Sequence, residues 1–142
     1  MEFPFRKKII SEEETVELAE SFAKKVFPGE VIILNGNLGA GKTFFIRSML
    51  KKFGIENVSS PTFSIVNEYN GKFKFYHFDF YRIKNSAELF DIGFNDYLND
   101  PDAITLIEWG ELLPEVLPHK RLEIRINIID DNTREFIFEK HA

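Results

Sequence analysis

The sequence contains no cysteine, so disulfide bonds and cysteine-ligated metal sites are excluded. It also has no apolar run of signal-peptide length near its start, and no apolar stretch long enough to span a membrane. These absences predict a soluble, cytoplasmic protein that makes no contact with a membrane.

Positive charge is scarce as well. The chain has 18 Lys and Arg residues against 23 Asp and Glu residues, which gives a formal net charge of −5. A protein that binds nucleic acid directly needs clustered Lys and Arg side chains to contact the phosphates. We therefore expect any association with nucleic acid to be indirect, through a partner.

A complete P-loop signature, Gly-x-x-x-x-Gly-Lys-Thr, is present. Its residues are Gly36, Asn37, Leu38, Gly39, Ala40, Gly41, Lys42 and Thr43. The glycines allow backbone N–H groups to surround the β-phosphate of a nucleotide, and the following helix directs the positive end of its dipole at the same anion. Lys42 is placed to bridge the β- and γ-phosphates, and the Thr43 hydroxyl to bind Mg²⁺. The signature predicts an ATP·Mg²⁺ site.

Hydrophobic patterns around this loop predict the fold. A capping box at residues 11–14 opens an amphipathic helix, and residues 31–34 form a short apolar run typical of a strand buried on both faces. Asn70-Gly71 predicts a type I′ hairpin, Ser86 is a candidate cap of a short helix, and residues 122–138 predict a second hairpin. We expect an α/β class: one P-loop NTPase domain over residues 1–142, with a mixed sheet, parallel at its centre and antiparallel in hairpins at its margins.

Hydrolysis requires a carboxylate that holds Mg²⁺ and a group that orients the attacking water. Glu108 directly follows the apolar run 103–107, which is the Walker B arrangement; alternatively it is a solvated acid at a strand end. Asp79 ends an aromatic strand, where alternation places His77, Asp79 and Tyr81 on one face. A Lys or Arg partner for a buried Asp79 is as good an interpretation as a catalytic role.

Two further residues are candidates for the site. Thr62 lies between the P-loop helix and the first hairpin, where many P-loop proteins have a switch whose Thr senses the γ-phosphate and Mg²⁺. It could equally begin a strand. Trp109, the single tryptophan, is explained by composition alone as a core aromatic.

Taken in order, these motifs resemble a known family. The P-loop, then residues 60–63 (Ser-Pro-Thr-Phe), then residues 77–82 (His-x-Asp-x-Tyr-Arg) and then Glu108-Trp109 are similar to TsaE, also called YjeE. The resemblance extends from Ser11 into the C-terminal hairpin. It implies a small bacterial P-loop ATPase needed to make threonylcarbamoyladenosine in tRNA, working with the proteins TsaD and TsaB, and reaching tRNA only through that complex.

The resemblance also implies roles for individual residues. Lys42 and Thr43 would bind the nucleotide and Mg²⁺, with Glu108 as the second Mg²⁺ residue. Asp79 would serve hydrolysis, Thr62 the switch, and Trp109 the wall of the site. By the same transfer, the base and ribose would be approached by Ser11 and Arg134.

The sequence also bears on three other functions. A regulatory GTPase would show Asn-Lys-x-Asp and Asp-x-x-Gly motifs, and neither occurs in the sequence. A small-metabolite kinase needs a lid that supplies paired Arg residues, whereas the arginines here are scattered. A nucleotide-gated binding module without meaningful turnover differs from an ATPase in steady-state phosphate release.

Overall fold

The computed structural model describes residues 1–59 and 65–142. The strands are β1 (Phe5–Ile9), β2 (Val31–Gly36), β3 (Val66–Asn70), β4 (Lys74–Asp79), β5 (Ala103–Glu108), β6 (Arg121–Ile128) and β7 (Arg134–His141). The α-helices are α1 (Glu12–Ala23), α2 (Lys42–Lys51), α3 (Ala87–Asp91) and α4 (Phe94–Leu98). Short 3₁₀ helices cover Phe80–Arg82, Gly110–Leu112 and Pro114–Val116.

The strands form a seven-stranded sheet in the order β1-β7-β6-β2-β5-β4-β3. At its centre β2 runs parallel to β5 and β6, and β4 runs parallel to β5. The pairs β1–β7, β6–β7 and β3–β4 are antiparallel. Central parallel strands are covered on both faces and therefore consist of continuous apolar runs, as β2 and β5 do. The expected α/β class, with a parallel centre and antiparallel margins, is confirmed.

Side chains cover the sheet on both faces, because alternate residues of β2 point to opposite sides. On one face the rings of Phe22 in α1 and Phe45 in α2 lie 5.9 Å apart between centroids. On the other face Phe78 of β4 packs edge-on against Phe94 of α4, with 5.1 Å between centroids. Most of the phenylalanines thus fill the core, and α1 and α2 each contribute at least one of them.

The predicted capping box at the start of α1 is present in a shifted form, with Ser11 as the N-cap and the reciprocal bond made to the residue before it. The Ser11 hydroxyl accepts a hydrogen bond from the Glu14 backbone N–H at 3.1 Å, and the Glu14 carboxylate accepts one from the Ile10 N–H at 3.1 Å. Ser86, in contrast, precedes α3 in a helical conformation and its side chain makes no capping hydrogen bond. The prediction of a Ser86 cap was therefore wrong, although the short helix exists.

The β3–β4 hairpin was predicted correctly but its turn was not. Asn70 pairs with Lys74, which leaves a three-residue connection, and Gly71 lacks the positive φ that a type I′ turn requires. The reason is tertiary packing: the Lys72 N–H donates to the Phe53 carbonyl at 2.9 Å, and a Cβ at Gly71 would clash with that same oxygen. Residue 71 must therefore be a glycine because the turn packs closely against the backbone that follows α2.

Strand β4 also ends earlier than alternation suggests. Asp79 is its last residue, and Phe80–Arg82 turns into a 3₁₀ helix that Asp79 caps by accepting the Tyr81 N–H at 2.9 Å. The prediction that Tyr81 shares a strand face with His77 and Asp79 was therefore wrong.

In the part of the chain that the structure describes, no helix combines the length and apolar character needed to cross a bilayer.

Candidate functional site

Three parallel strands end together at one edge of the sheet. Gly36, Asp79 and Glu108 are the last residues of β2, β4 and β5, and the strand register places Asp79 beside Glu108 and Glu108 beside Leu34. In open α/β sheets, ligands bind outside the carboxyl ends of the strands. The loop that joins β2 to α2 lies at this edge, together with both predicted carboxylates.

The glycines of this loop are required by its shape. A Cβ at Gly36 would lie 2.8 Å from the carbonyl oxygen of Ile126 in β6, so no side chain fits there. Gly39 and Gly41 have φ values of 79° and 106°, in the left-handed region that other residues rarely adopt. Gly41 is also the N-cap residue of α2. The loop therefore leads into the N-terminus of α2, whose positive dipole end favours an anion.

Lys42 lies inside this loop, with only 5% of its surface exposed. Its ammonium group donates to the backbone carbonyl of Gly36 and lies 3.4 Å from the carbonyl of Asn37. The same group sits over the ring of Trp109, 3.7 Å from the centroid, in the geometry of a cation–π contact. The ammonium is thus held by the loop and by one aromatic side chain.

Thr43 and Glu108 are in direct contact. The Thr43 hydroxyl oxygen lies 2.9 Å and 3.0 Å from the two carboxylate oxygens of Glu108. Glu108 is buried, and its Oε2 is also 2.6 Å from Nε2 of His77, which has no exposed surface. The structure therefore brings together the two residues predicted to bind Mg²⁺ and adds a histidine to them.

Burial changes the acid–base behaviour of the charged groups here. It lowers the pKa of Lys42, against the opposing influence of carboxylates led by Glu111. Burial likewise raises the pKa of Asp79, where the Tyr81 N–H acts in the opposite direction and the negative charge of Glu108 adds to the rise. Both shifts mean that these charges are poorly solvated without a ligand. Perturbed pKa values of this kind are concentrated at functional sites.

These groups surround a cleft of about 450 Å³, which we call the Lys42 cleft. Its lining residues are Leu38, Gly39, Ala40, Gly41, Lys42, Thr43, Phe44, Asp79, Tyr81, Arg82, Glu108 and Trp109. Trp109 is partly buried, has a positive φ of 61°, and packs on Tyr81 with 5.0 Å between ring centroids. It therefore contributes both to the core and to the cleft wall, so neither interpretation of Trp109 excludes the other.

A second cleft, of about 360 Å³, also borders the glycine-rich loop and is called the Arg134 cleft. Gly39, Ala40 and Gly41 line both clefts. Ser11, at the cap of α1, and Arg134, at the start of β7, line this one. The structure thus places these two residues, which no sequence motif connected to the site, next to the same loop.

Of the predicted site residues, Thr62 lies outside the described residues. Sequence reasoning missed Glu111, whose Oε2 accepts a hydrogen bond from the Gly36 N–H at 3.2 Å. Nothing in the sequence signals this contact, because Glu111 comes from a 3₁₀ helix far along the chain. His77 was correctly predicted to share a strand face with Asp79, but the sequence assigned it no role in the site.

Comparison with known proteins identifies the family. The family described as "Threonylcarbamoyl adenosine biosynthesis protein TsaE" matches residues 9–136. The chain is 40% identical to a Rickettsia felis protein over 127 residues, covering 87% of this chain and 73% of that protein. It is also 40% identical to a Bacillus subtilis protein over 131 residues, covering 91% and 81%. Both relatives are named tRNA threonylcarbamoyladenosine biosynthesis protein TsaE.

The fold has a solved counterpart as well. A crystal structure of Bacillus subtilis YdiB superposes with a TM-score of 0.84 and 33% sequence identity, covering 100% of this chain and 88% of that one. The sequence match, the shared fold and the arrangement at the strand ends agree with one another. The chain belongs to the TsaE family.

Proposed function

We propose that this chain binds ATP·Mg²⁺ in the Lys42 cleft and hydrolyses it as an accessory protein in the threonylcarbamoyladenosine modification of tRNA. The observation that carries the proposal is the contact of the Thr43 hydroxyl with both oxygens of the buried Glu108, beside Lys42. The names of the relatives support the pathway.

The glycine-rich loop fits a triphosphate. Its backbone turns through two left-handed glycines into the N-terminus of α2, which provides N–H donors and a positive dipole end. Lys42 is desolvated and sits over Trp109. When a phosphate binds, the Lys42 ammonium would exchange its carbonyl and aromatic contacts for a contact with a full negative charge. That exchange favours the β- and γ-phosphates over neutral ligands.

The residues present also fit Mg²⁺ that enters with the nucleotide. Mg²⁺ prefers oxygen ligands, retains several waters and is commonly shared between one or two side chains and substrate phosphates. Thr43 and Glu108 offer such oxygens, whereas within residues 1–59 and 65–142 no group of three or more His, Asp or Glu side chains could hold a metal ion. When bound, the ion would neutralise charge on the phosphates.

Asp79 is suited to the hydrolytic step. It lines the same cleft as Lys42 and Thr43, and burial raises its pKa, which makes the carboxylate a stronger base than an exposed one. In the proposed step it orients a water molecule and accepts its proton as the oxygen attacks the γ-phosphorus. The bond to the β–γ bridging oxygen breaks, and ADP and phosphate leave.

The adenosine part of the nucleotide is assigned to the Arg134 cleft. This cleft is adjacent to the loop residues that would hold the phosphates, and Ser11 and Arg134 line it. We expect ATP to be preferred to GTP because the sequence lacks a guanine-recognition motif. A competition titration measures this preference, and equal or tighter GTP binding would contradict it.

The partners are proposed from family membership: a complex of TsaD and TsaB, with tRNA reached only through that complex. Because all of its recognised motifs serve the nucleotide, the proposed role of ATP is to change the conformation of another protein. Nucleotide-dependent contact of this kind needs a segment that responds to the γ-phosphate. Thr62 is the proposed residue, and its substitution by Ala should weaken nucleotide-dependent association more than ATP binding.

Size-exclusion chromatography with purified TsaD and TsaB tests the proposal under ATP, ADP and nucleotide-free conditions, with phosphate release measured on the same mixtures. We expect co-elution to depend on the nucleotide and phosphate release to rise with the partners. Identical co-elution in all three conditions would contradict the switch, and no co-elution would contradict the partnership. Retained association with background phosphate release would favour a binding module over an ATPase.

A further inference from the structure

His77 is a polar side chain in the interior of the sheet. It has no exposed surface, and the β4–β5 register places it opposite Leu106, two residues before Glu108. Its Nε2 lies 2.6 Å from Glu108 Oε2. Within residues 1–59 and 65–142, Nδ1 has no hydrogen-bond partner. A buried polar group is unfavourable unless it is hydrogen-bonded. The contact with Glu108 therefore stabilises this imidazole in the interior, and it is the contact through which His77 could affect the site.

The Glu108 carboxylate is held from two directions. The Thr43 hydroxyl, from the first turn of α2, contacts both of its oxygens, and the His77 imidazole, from β4, contacts Oε2. A glutamate side chain has several rotatable bonds and loses that freedom when it is fixed. Two partners on two different elements therefore set the plane of the carboxylate before any ligand arrives.

We propose that His77 is a positioning residue, which donates its Nε2–H to Glu108 Oε2 and so orients this carboxylate toward the Mg²⁺ of bound ATP. The inference rests on the proposed function, because it assigns His77 a part in the same site. Carboxylates near metals are usually held by surrounding hydrogen bonds, and loss of such a partner typically weakens metal affinity or activity by about 10–100-fold.

Two amide substitutions separate positioning from packing. In His77→Gln the side-chain nitrogen is as many bonds from Cβ as Nε2 is, so it can still donate to Glu108. In His77→Asn the nitrogen corresponds to Nδ1 and falls short. His77→Leu fills the buried space without any donor and replaces the Asn variant if that variant does not fold.

The measurement is ATP affinity by calorimetric titration over a series of Mg²⁺ concentrations and in EDTA, with circular dichroism to confirm folding. We expect His77→Asn to raise the Mg²⁺ concentration needed for half-maximal affinity by about 10–100-fold. His77→Gln should stay close to the wild type. Affinity in EDTA should be the same in all three proteins, because His77 has no contact with the phosphate loop in this proposal.

The same substitutions in a Glu108→Ala background test whether His77 acts through Glu108. There, His77→Asn should change the Mg²⁺ dependence no further, because coupled residues are not additive. An unchanged Mg²⁺ dependence in His77→Asn, equal losses in the Gln and Asn variants, or additive losses with Glu108→Ala would overturn the inference. Failure of the wild type to bind ATP·Mg²⁺ would instead overturn the proposed function itself.

Discussion

The two clefts beside the glycine-rich loop share Gly39, Ala40 and Gly41 but differ in how their polar groups are satisfied. In the Lys42 cleft, burial lowers the pKa of Lys42 and raises the pKa of Asp79, and both shifts disfavour the charged form of the group. Polar groups of both clefts also hydrogen-bond to the backbone, and in the Arg134 cleft these bonds are made by Ser11 and Arg134. There Ser11 caps α1, and the guanidinium group of Arg134 donates to backbone carbonyls of the preceding turn at 2.9 Å and 3.2 Å.

This difference separates ligand binding from stability. Charges that are desolvated before a ligand binds reduce stability and are compensated when the ligand arrives, as is common at functional sites. Groups that already cap a helix or a turn contribute to stability whether or not a ligand is present. Substitutions in the Lys42 cleft should therefore change function more than folding, whereas substitutions of Ser11 or Arg134 should also lower stability.

The largest expected effect is that of Lys42→Ala. It should weaken ATP·Mg²⁺ affinity by about 100-fold or more, because hydrogen bonds to charged groups contribute up to about 3 kcal/mol each. The melting temperature should stay equal or rise, since a desolvated ammonium is removed. Calorimetric titration and thermal unfolding measure the two quantities.

Lys51→Ala is the matched control, because Lys51 is an exposed lysine in the last turn of the same helix. It should leave ATP affinity unchanged. Wild-type affinity in Lys42→Ala would refute the assignment of the phosphate site, and a large loss of stability would break the contrast between the clefts.

Asp79→Asn and Glu108→Gln should reduce hydrolysis by at least about tenfold while ATP binding survives, the effect expected for losing one positioned charge. Phosphate release in the presence of TsaD and TsaB measures the rate. Glu115→Gln, at an exposed acid outside both clefts, should behave as the wild type. Wild-type turnover in either cleft variant would remove that residue from the mechanism.

Ser11→Ala tests the Arg134 cleft. Loss of the hydroxyl that accepts the Glu14 N–H should lower the free energy of unfolding by about 1 kcal/mol. Ser11→Asp retains a capping oxygen and should restore most of it in chemical denaturation. If Ser11→Ala instead weakens ATP binding strongly with stability unchanged, the hydroxyl acts on the ligand and the distinction fails.

The smallest effect is a pH dependence at Asp79. Because its pKa is raised in the folded protein, the native state binds more protons than the unfolded state between the ordinary Asp value and the raised one. The contribution of Asp79 to stability should therefore increase as pH falls through that window. Asp79→Asn should be more stable near neutral pH, by less than about 1 kcal/mol because the carboxylate is partly exposed, and the advantage should disappear at low pH.

Denaturation of both proteins at several pH values measures this difference in stability. The contributions of the other titrating groups are the same in both proteins and cancel. If the stability advantage of the Asn variant does not change with pH, burial does not raise the pKa of Asp79 in the folded protein.

The sequence predicted the elements that have local signals. The capping box located α1, the apolar runs located β2 and β5, and the glycines located the loop. It did not reveal β1 or α4. Residues Phe5–Ile9 are half exposed, and their strand character comes from pairing with β7 at the sheet edge. The type I′ turn failed for a similar reason, since contact with Phe53 outweighed the local Asn-Gly preference.

The site was predictable where its residues lie at strand ends. Asp79 and Glu108 end adjacent parallel strands, so their proximity follows from the fold class. The contact of Glu111 with Gly36 depends on a 3₁₀ helix whose direction no local pattern specifies. The pairing of His77 with Glu108 required the register of two strands separated by two helices.

The approach of Gly36 to the carbonyl oxygen of Ile126 has a consequence for how far this chain can be shortened. A fragment that stops after Trp109 would keep the whole loop, Asp79 and Glu108. It would lose β6, against whose backbone the first glycine of the loop packs, and with β7 the arginine of the second cleft. Support for the loop therefore depends on strands that follow it in the chain, and a fragment that keeps this support includes the final hairpin.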